Sequence, residues 1–97
     1  MIYKIVIEPR AILDIQNAID YYDSKQIGLG EYFYKVVNEH IETLIKSPFF
    51  QIRYKDYNGF PIHKFPFIIF YYSDENLKTI FIISIFNTAL NPINYPQ

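Results

Sequence analysis

The fold is decided by residues 2–24, which read IYKIVIEPRAILDIQNAIDYYDS. The first part of this stretch, residues 2–8, is rich in β-branched side chains and alternates two faces, which is typical of a strand. Glu8-Pro9 ends the strand, and Pro9 suits the first turn of a helix because an N–H there would have no helical partner. Apolar side chains then recur every three or four residues, which predicts a first helix over residues 9–24. Its apolar stripe consists of Ala11, Ile15, Ala18, Ile19 and Tyr22.

A second helical pattern follows a short glycine link, Gly28-Leu29-Gly30. This helix is predicted to end at Ser47-Pro48, because a residue that precedes proline is disfavoured in the α conformation. Two helices joined by a short link fold back on each other, so we expect a helical hairpin over residues 9–46. The second apolar stripe consists of Phe33, Val36, Val37, His40, Ile41, Leu44 and Ile45.

The rest of the chain has strand patterns. Residues 51–57 alternate apolar and charged side chains, and Asn58-Gly59 is a strong hairpin signal because both residues tolerate positive φ. We therefore predict a turn at Asn58-Gly59 and a long strand over residues 60–72. A turn at residues 73–76 then leads into a last strand over residues 77–86.

The predicted element order is β-α-α-β-β-β. It indicates an α+β fold in which the helical hairpin packs on one face of a mainly antiparallel sheet. The pattern leaves open which neighbour the first strand pairs with. Two prolines in the long strand predict a bulge or an exposed edge there, and residues 91–97, which have no period, predict a loose or docked end. We expect a single domain over residues 1–97 with a core that includes Phe33, Val37, Ile41, Ile68, Phe70, Ile82 and Phe86.

Composition excludes several kinds of function. The net charge of -1 argues against binding of nucleic acid through bulk positive charge. The absence of cysteine excludes disulfides, thiol catalysis and thiolate metal sites, and it is compatible with a reducing cytoplasm. With only two histidines, a metal site would need carboxylates to complete it, and we expect no metal and no cofactor.

The apolar content predicts a partner and no membrane span. The longest apolar runs, residues 65–72 and 80–86, are far shorter than the roughly 20 residues of a transmembrane helix. The first residues are unlike a signal peptide, so we expect a cytoplasmic protein. Because 51% of the side chains are hydrophobic and so short a chain buries only part of its surface, we expect exposed aromatic side chains that a protein partner covers.

Few residues are candidates for chemistry. His63 and Lys64 lie in the predicted long strand, where alternation places them on opposite sheet faces unless a bulge intervenes. Arg53 and Lys55 share one face of the preceding strand and form a small basic patch. For each of these, the simpler interpretation is a solvated side chain on a strand.

The carboxylates and His40 favour structural interpretations. Asp14, Asp20 and Asp23 lie at helical distances, but we expect them on an exposed helix face without the pocket that a catalytic pair needs. His40 belongs to the second apolar stripe, which predicts a partly buried residue at the edge of the core.

The chain resembles the RelE/ParE toxin superfamily over roughly residues 2–92. The aspartate–tyrosine–tyrosine element and the phenylalanine–proline–aromatic element before an apolar strand are specific only in combination. The segments that carry the resemblance are IVIEPRA at 5–11, DI at 14–15, AIDYY at 18–22, GLGEYF at 28–33, SP at 47–48, RYKD at 53–56, KFPFIIFY at 64–71, FNT at 86–88 and NP at 91–92.

The resemblance implies a toxin of a type II toxin–antitoxin module, a class also called plasmid stabilisation proteins. RelE-like members are ribosome-dependent mRNA endonucleases, whereas ParE-like members inhibit DNA gyrase. Both are neutralised by a cognate antitoxin. The resemblance thus implies an antitoxin partner, with DNA gyrase as a target, and leaves open whether the toxin forms a homodimer or only a hetero-oligomer with the antitoxin.

The chain departs from the family at three positions that matter for RNA cleavage. Asn58 and Leu90 stand where members commonly carry arginine, and Asn87 stands where they carry histidine. These differences favour the ParE-like branch, without catalysis, over the RelE-like endonuclease. A RelE-like enzyme would have to use Arg53, His63, Lys64 and Tyr71, and a degenerate toxin that keeps only antitoxin binding is the third interpretation.

Overall fold

The structure is a computed structural model, and it describes residues 3–48, 53–54 and 56–89. Two long helices follow a short first strand, and four further strands complete the described chain. The predictions made for residue 2, residues 51–52, Lys55, Leu90 and residues 91–97 lie outside the described residues. The elements are β1 (Lys4–Ile7), α1 (Pro9–Lys25), α2 (Leu29–Lys46), β2 (Arg53–Tyr54), β3 (Tyr57–Pro61), β4 (Phe67–Asp74) and β5 (Thr79–Asn87).

The strands form one sheet in the order β1-β5-β4-β3-β2. β1 runs parallel to β5, with Lys4 opposite Thr79, and the other neighbours are antiparallel. The α+β class, the helical hairpin and the order β-α-α-β-β-β are confirmed, with one strand more than predicted, because β2, β3 and β4 stand where two strands were expected. The partner of the first strand, which the sequence left open, is β5.

The core lies between the helical hairpin and one face of the sheet. Phe33 and Val37 of α2 pack there with Ile69, Tyr71 and Ile82 of the central strands. Because side chains alternate along a strand, the intervening residues form a second apolar cluster on the opposite sheet face. All seven predicted core residues are buried: Phe33, Val37, Ile41, Ile68, Phe70, Ile82 and Phe86.

The glycine link brings the two helices into very close contact. Gly28 has a φ of 88°, which is accessible to glycine at little cost. A Cβ added at Gly30 would lie 2.5 Å from the carbonyl oxygen of Ile19. The Gly30 N–H donates to Asp23 Oδ1 at 2.8 Å, so Asp23 ties the two helices together and is not a free surface carboxylate.

The predicted turn at Asn58-Gly59 is wrong. Both residues lie inside β3, where Asn58 is opposite Tyr71 and Gly59 is opposite Phe70. β2 and β3 instead pair antiparallel with Tyr54 opposite Tyr57, on the N-terminal side of the Asn-Gly pair. Pairing of β3 with the long central strand β4 outweighs the local turn preference of an Asn-Gly pair.

The predicted long strand over residues 60–72 is also wrong, because it is two strands. β3 ends at Pro61 and β4 begins at Phe67, and residues 62–66 form the turn between them. The Ile62 N–H donates to the Phe67 carbonyl at 2.9 Å across this turn, and Lys64 has a φ of 75°. Pro61 and Pro66 flank the break because neither can donate a hydrogen bond to a neighbouring strand.

Candidate functional site

The four candidate catalytic residues come from three parts of the chain: β2, the turn of residues 62–66 and β4. Arg53 lies in β2 opposite Asn58, and Asn58 lies opposite Tyr71 of β4. Tyr71 has no exposed surface, and its hydroxyl donates to the carbonyl of Pro48 at 2.9 Å. Tyr71 therefore packs in the core, and its hydroxyl is not presented to a ligand.

His63 and Lys64 lie in the turn of residues 62–66 and not in a strand. Their expected placement on opposite sheet faces is therefore wrong, because period-two alternation applies only within a strand. Both side chains are exposed. The turn brings them next to α2, where two further side chains complete a small polar group that we call the turn cluster: Tyr32, His40, His63 and Lys64.

His40 fixes the position of the turn of residues 62–66 through a hydrogen bond to its backbone. Its Nδ1 lies 2.7 Å from the carbonyl of Val36, and its Nε2 lies 3.1 Å from the backbone nitrogen of His63. The carbonyl can only accept and the N–H can only donate, so the imidazole carries its proton on Nδ1 and accepts at Nε2. The ring is buried and packs 5.2 Å from Phe60, which confirms the interpretation of His40 as a residue at the edge of the core.

Lys64 makes the second contact between the turn and α2. Its Nζ donates to the Tyr32 hydroxyl at 2.8 Å and lies 5.6 Å from the centre of the Tyr32 ring. The hydrogen bond to Tyr32 raises the pKa of Lys64 above its ordinary value, so the amine stays charged at neutral pH. Tyr32 had no signal in the sequence, because the contact joins residues from α2 and from a turn that was predicted as a strand.

The turn cluster combines a cation, an imidazole and a phenol at an exposed corner. His63 has a ring that lies 5.6 Å from the buried ring of His40, and its own side chain is open to solvent. Such a group can contact an anionic ligand through charge-assisted hydrogen bonds. It lacks the converging charges that a phosphate-cleaving site needs.

A second polar site lies where α1 crosses the end of β5, and we call it the β5-end groove. Its volume is about 290 Å³. Its polar rim consists of Arg10, Asp14, Asn17, Tyr21 and Asn87. Its apolar lining consists of Ala18, Phe67, Ile85 and Phe86, of which the first three belong to the core on the helix side of the sheet.

Two of these rim residues are held in place by hydrogen bonds to other parts of the chain. Asp14 Oδ2 accepts from Ser84 Oγ at 2.9 Å and from the Ile85 N–H at 3.1 Å. Asn87 Oδ1 accepts from the Ala89 N–H at 2.8 Å. The expectation that Asp14 lies on an exposed helix face is therefore wrong, because this carboxylate ties α1 to β5.

A third surface, the hairpin groove, is mainly apolar and has a volume of about 310 Å³. It runs between the helices beside the edge strand β1. Ile12 and Tyr34, which line it, are 56% and 47% exposed, so the predicted exposure of apolar side chains is found here. The hairpin groove is lined by Ile7, Ile12, Ile15, Gln16, Ile19 and Tyr34.

The described part of the chain contains neither a cluster of metal-binding side chains nor a helix that could span a membrane. Within it, no three His, Asp or Glu side chains are grouped closely enough to hold a metal ion. Neither α1 nor α2, the two helices described, combines the length and apolar character needed to cross a membrane.

Comparison with known proteins identifies a shared fold. No protein-family model matches the chain, and no curated protein matches it in sequence. A chain of the solved structure described as "Chromosomal ParDE TA system from P. aeruginosa" is similar in structure, with a TM-score of 0.77 and 13% sequence identity. The similarity covers 89% of this chain and 96% of that one. The ParE-like fold expected from the sequence resemblance is thereby confirmed.

Proposed function

We propose that this protein is the toxin of a type II toxin–antitoxin module, that it is ParE-like, and that it acts by binding a target such as DNA gyrase. The observation that carries the proposal is the similarity in fold to a chain of a ParDE system, which extends over nearly the whole length of both chains. The sequence segments that resemble RelE/ParE toxins support it independently. In this proposal residues 1–97 form a single cytoplasmic toxin domain that a cognate antitoxin neutralises.

The hairpin groove is where we place the antitoxin. An amphipathic helix can insert apolar side chains between Ile12 and Tyr34, since both side chains are exposed at a mainly apolar groove. β1 lies at the edge of the described sheet and next to this groove, so an extended segment of the same partner can add a strand there.

Two adjacent residues of α1 provide a matched test of this placement. Ile12 and Leu13 are 56% and 59% exposed, but only Ile12 lines the hairpin groove. We expect Ile12→Glu to abolish rescue of growth by the antitoxin and to abolish co-purification, because a charge would be buried in an apolar contact. Leu13→Glu should keep both. Equal behaviour of the two variants would contradict the placement of the antitoxin.

Several features support action by binding rather than by RNA cleavage. Asn87 cannot serve as a general acid, and its side-chain oxygen accepts from the Ala89 N–H. Tyr71 is buried with its hydroxyl bonded to a backbone carbonyl. The net charge of -1 also suits a protein partner better than ribosomal RNA.

A RelE-like endonuclease is the second candidate, and one observation favours it. His63 and Lys64 share one exposed turn, so an imidazole and a cation are available on the same side of the molecule. Cleavage of translated mRNA would then depend on both residues. Arg53 would be the third member of that set.

The two functions are separated by paired assays on purified protein. ParE-like action predicts that the protein inhibits supercoiling by DNA gyrase and that the antitoxin, taken from an adjacent small reading frame, restores it. It also predicts that mRNA on translating ribosomes stays intact. Site-specific cleavage of that mRNA, lost in His63→Ala or Lys64→Ala, would establish the RelE-like function instead. Induced expression without any effect on growth, together with retained antitoxin binding, would identify a degenerate toxin.

A further inference from the structure

The β5-end groove has a regular polar rim that the proposed function does not use. Arg10, Asp14, Asn17 and Tyr21 follow one another at spacings of four, three and four residues, so they form one face of α1. This face lies beside Asn87 at the end of β5. A volume of about 290 Å³ is near the lower limit of roughly 300–1,000 Å³ for small-molecule sites, so the groove suits one or two side chains better than a cofactor.

The charge of Arg10 is not neutralised within the described chain. Asp14 lies one helical turn further on and would be its usual ion-pair partner. Asp14 Oδ2 instead accepts from Ser84 Oγ and from the Ile85 N–H, and the described residues contain no ion pair of Arg10. A guanidinium with its five donors therefore stands at the mouth of the groove.

The rest of the rim also favours an acceptor or an anion. Asn87 has its oxygen bonded to the Ala89 N–H, which leaves its NH₂ group to donate. Beyond Tyr21, the ammonium group of Lys25 lies 5.2 Å from the centre of the Tyr21 ring. The other carboxylates of α1 have partners elsewhere, since Asp20 accepts from Gln16 and Asp23 from Gly30.

We propose that the β5-end groove binds a peptide segment of a partner protein in which an acidic side chain adjoins an apolar one. The carboxylate pairs with Arg10, and the apolar side chain packs on Ala18 and Phe67, which belong to the core on the helix side of the sheet. A carboxylate suits Arg10 because the guanidinium can donate two parallel hydrogen bonds to it. A nucleic acid suits the groove less well, because its phosphates need several cations in a row. This inference goes beyond the toxin function, and the site is distinct from the hairpin groove in which we place the antitoxin.

Short blocked peptides test the proposal directly. The probes are acetyl-Leu-Glu-Leu-amide and its neutral counterpart acetyl-Leu-Gln-Leu-amide, each titrated to about 10 mM against ¹⁵N-labelled protein. We expect shifts of the Ile85 and Ala89 backbone amides and of the Asn17 and Asn87 side-chain amides. The glutamate peptide should bind about tenfold more tightly than the glutamine peptide, as expected for one added charge-assisted hydrogen bond.

Variants then assign the preference to Arg10. Arg10→Gln should remove the tenfold preference and leave the spectrum of the folded protein otherwise intact, because Arg10 is exposed. Arg10→Lys should retain part of it, and Lys35→Gln, which removes an exposed cation from α2, should retain all of it. Absence of shifts with both peptides, equal affinity of the two, or an unchanged preference in Arg10→Gln would overturn the proposal. Equivalent shifts with a short thymidine oligonucleotide would overturn it as well. Because no readout involves growth or gyrase, failure here is separate from failure of the toxin function.

Discussion

His40→Phe tests how the turn of residues 62–66 is held in place. Phenylalanine keeps an aromatic ring beside Phe60 but removes both ring nitrogens. The Val36 carbonyl loses an additional contact, whereas the partly buried His63 N–H loses its acceptor. An unsatisfied buried donor costs about 1–3 kcal/mol, so we expect the free energy of unfolding to fall by that amount.

The loss is measurable in two ways. For a domain of this size each kcal/mol lowers the melting temperature by about 4–8 °C, and urea unfolding should show a lower midpoint with an unchanged slope. Amide hydrogen exchange should show faster exchange at His63. The hydrogen bond of Lys64 to Tyr32 remains in this variant, so we expect the turn to loosen and not to detach.

Two further variants separate the hydrogen bond from general effects on α2. His40→Gln offers an amide oxygen as a replacement acceptor and should recover part of the loss. Asn38→Ala, at an exposed position of the same helix, should change stability by no more than about 0.5 kcal/mol. Wild-type stability of His40→Phe, together with a His63 amide that is still protected, would contradict a stabilising role for the hydrogen bond between His40 and His63.

Two other predictions concern the helical hairpin and the start of β1. Alanine inside a helix normally stabilises it by about 1 kcal/mol relative to glycine. A Cβ at Gly30, however, would lie 2.5 Å from the Ile19 carbonyl oxygen, so Gly30→Ala should destabilise the protein by about 1–3 kcal/mol in urea unfolding. An increase in stability would contradict the close approach of the helices. The Tyr3 hydroxyl donates to both carboxylate oxygens of Glu75, at 2.9 and 2.8 Å, and this hydrogen bond raises the pKa of Tyr3. Because the pKa of Tyr3 is higher in the folded than in the unfolded state, the resulting stabilisation is complete below about pH 10 and is lost as the pH rises through the folded-state pKa. Tyr3→Phe should therefore reduce the loss of stability at alkaline pH in thermal unfolding. Identical pH profiles of the variant and the wild type would refute this prediction.

Local periodicity was sufficient for the helices and for the class of the fold. The apolar stripes of α1 and α2 repeat within a few residues along the chain, so they are readable without any tertiary contact. The burial of Phe33 and Val37 follows from those stripes. The strand that contains Ile68 and Phe70 could be recognised in the same way, because it is apolar on both faces.

The candidate site depended on contacts that no local pattern records. An Asn-Gly pair is a turn signal only until a neighbouring strand offers better pairing, which β4 does for Asn58 and Gly59. His63 and Lys64 were predicted in a strand and lie in a turn for a related reason, since the flanking prolines end the pairing of β3 with β4. Their positions beside α2 then follow from hydrogen bonds to His40 and Tyr32.

Sequence patterns alone specify the two helices, the apolar strands and the resemblance to RelE/ParE toxins, because each is a property of neighbouring residues. Tertiary contacts, in contrast, pair β1 with β5 and tie Asp14 to the sheet. They also place Arg10 beside Asn87, where it has no ion pair with any of the described residues. These features join residues about 70 or more positions apart. Local periodicity does not predict them, because such pairings are selected by competition among all surfaces of the folded chain.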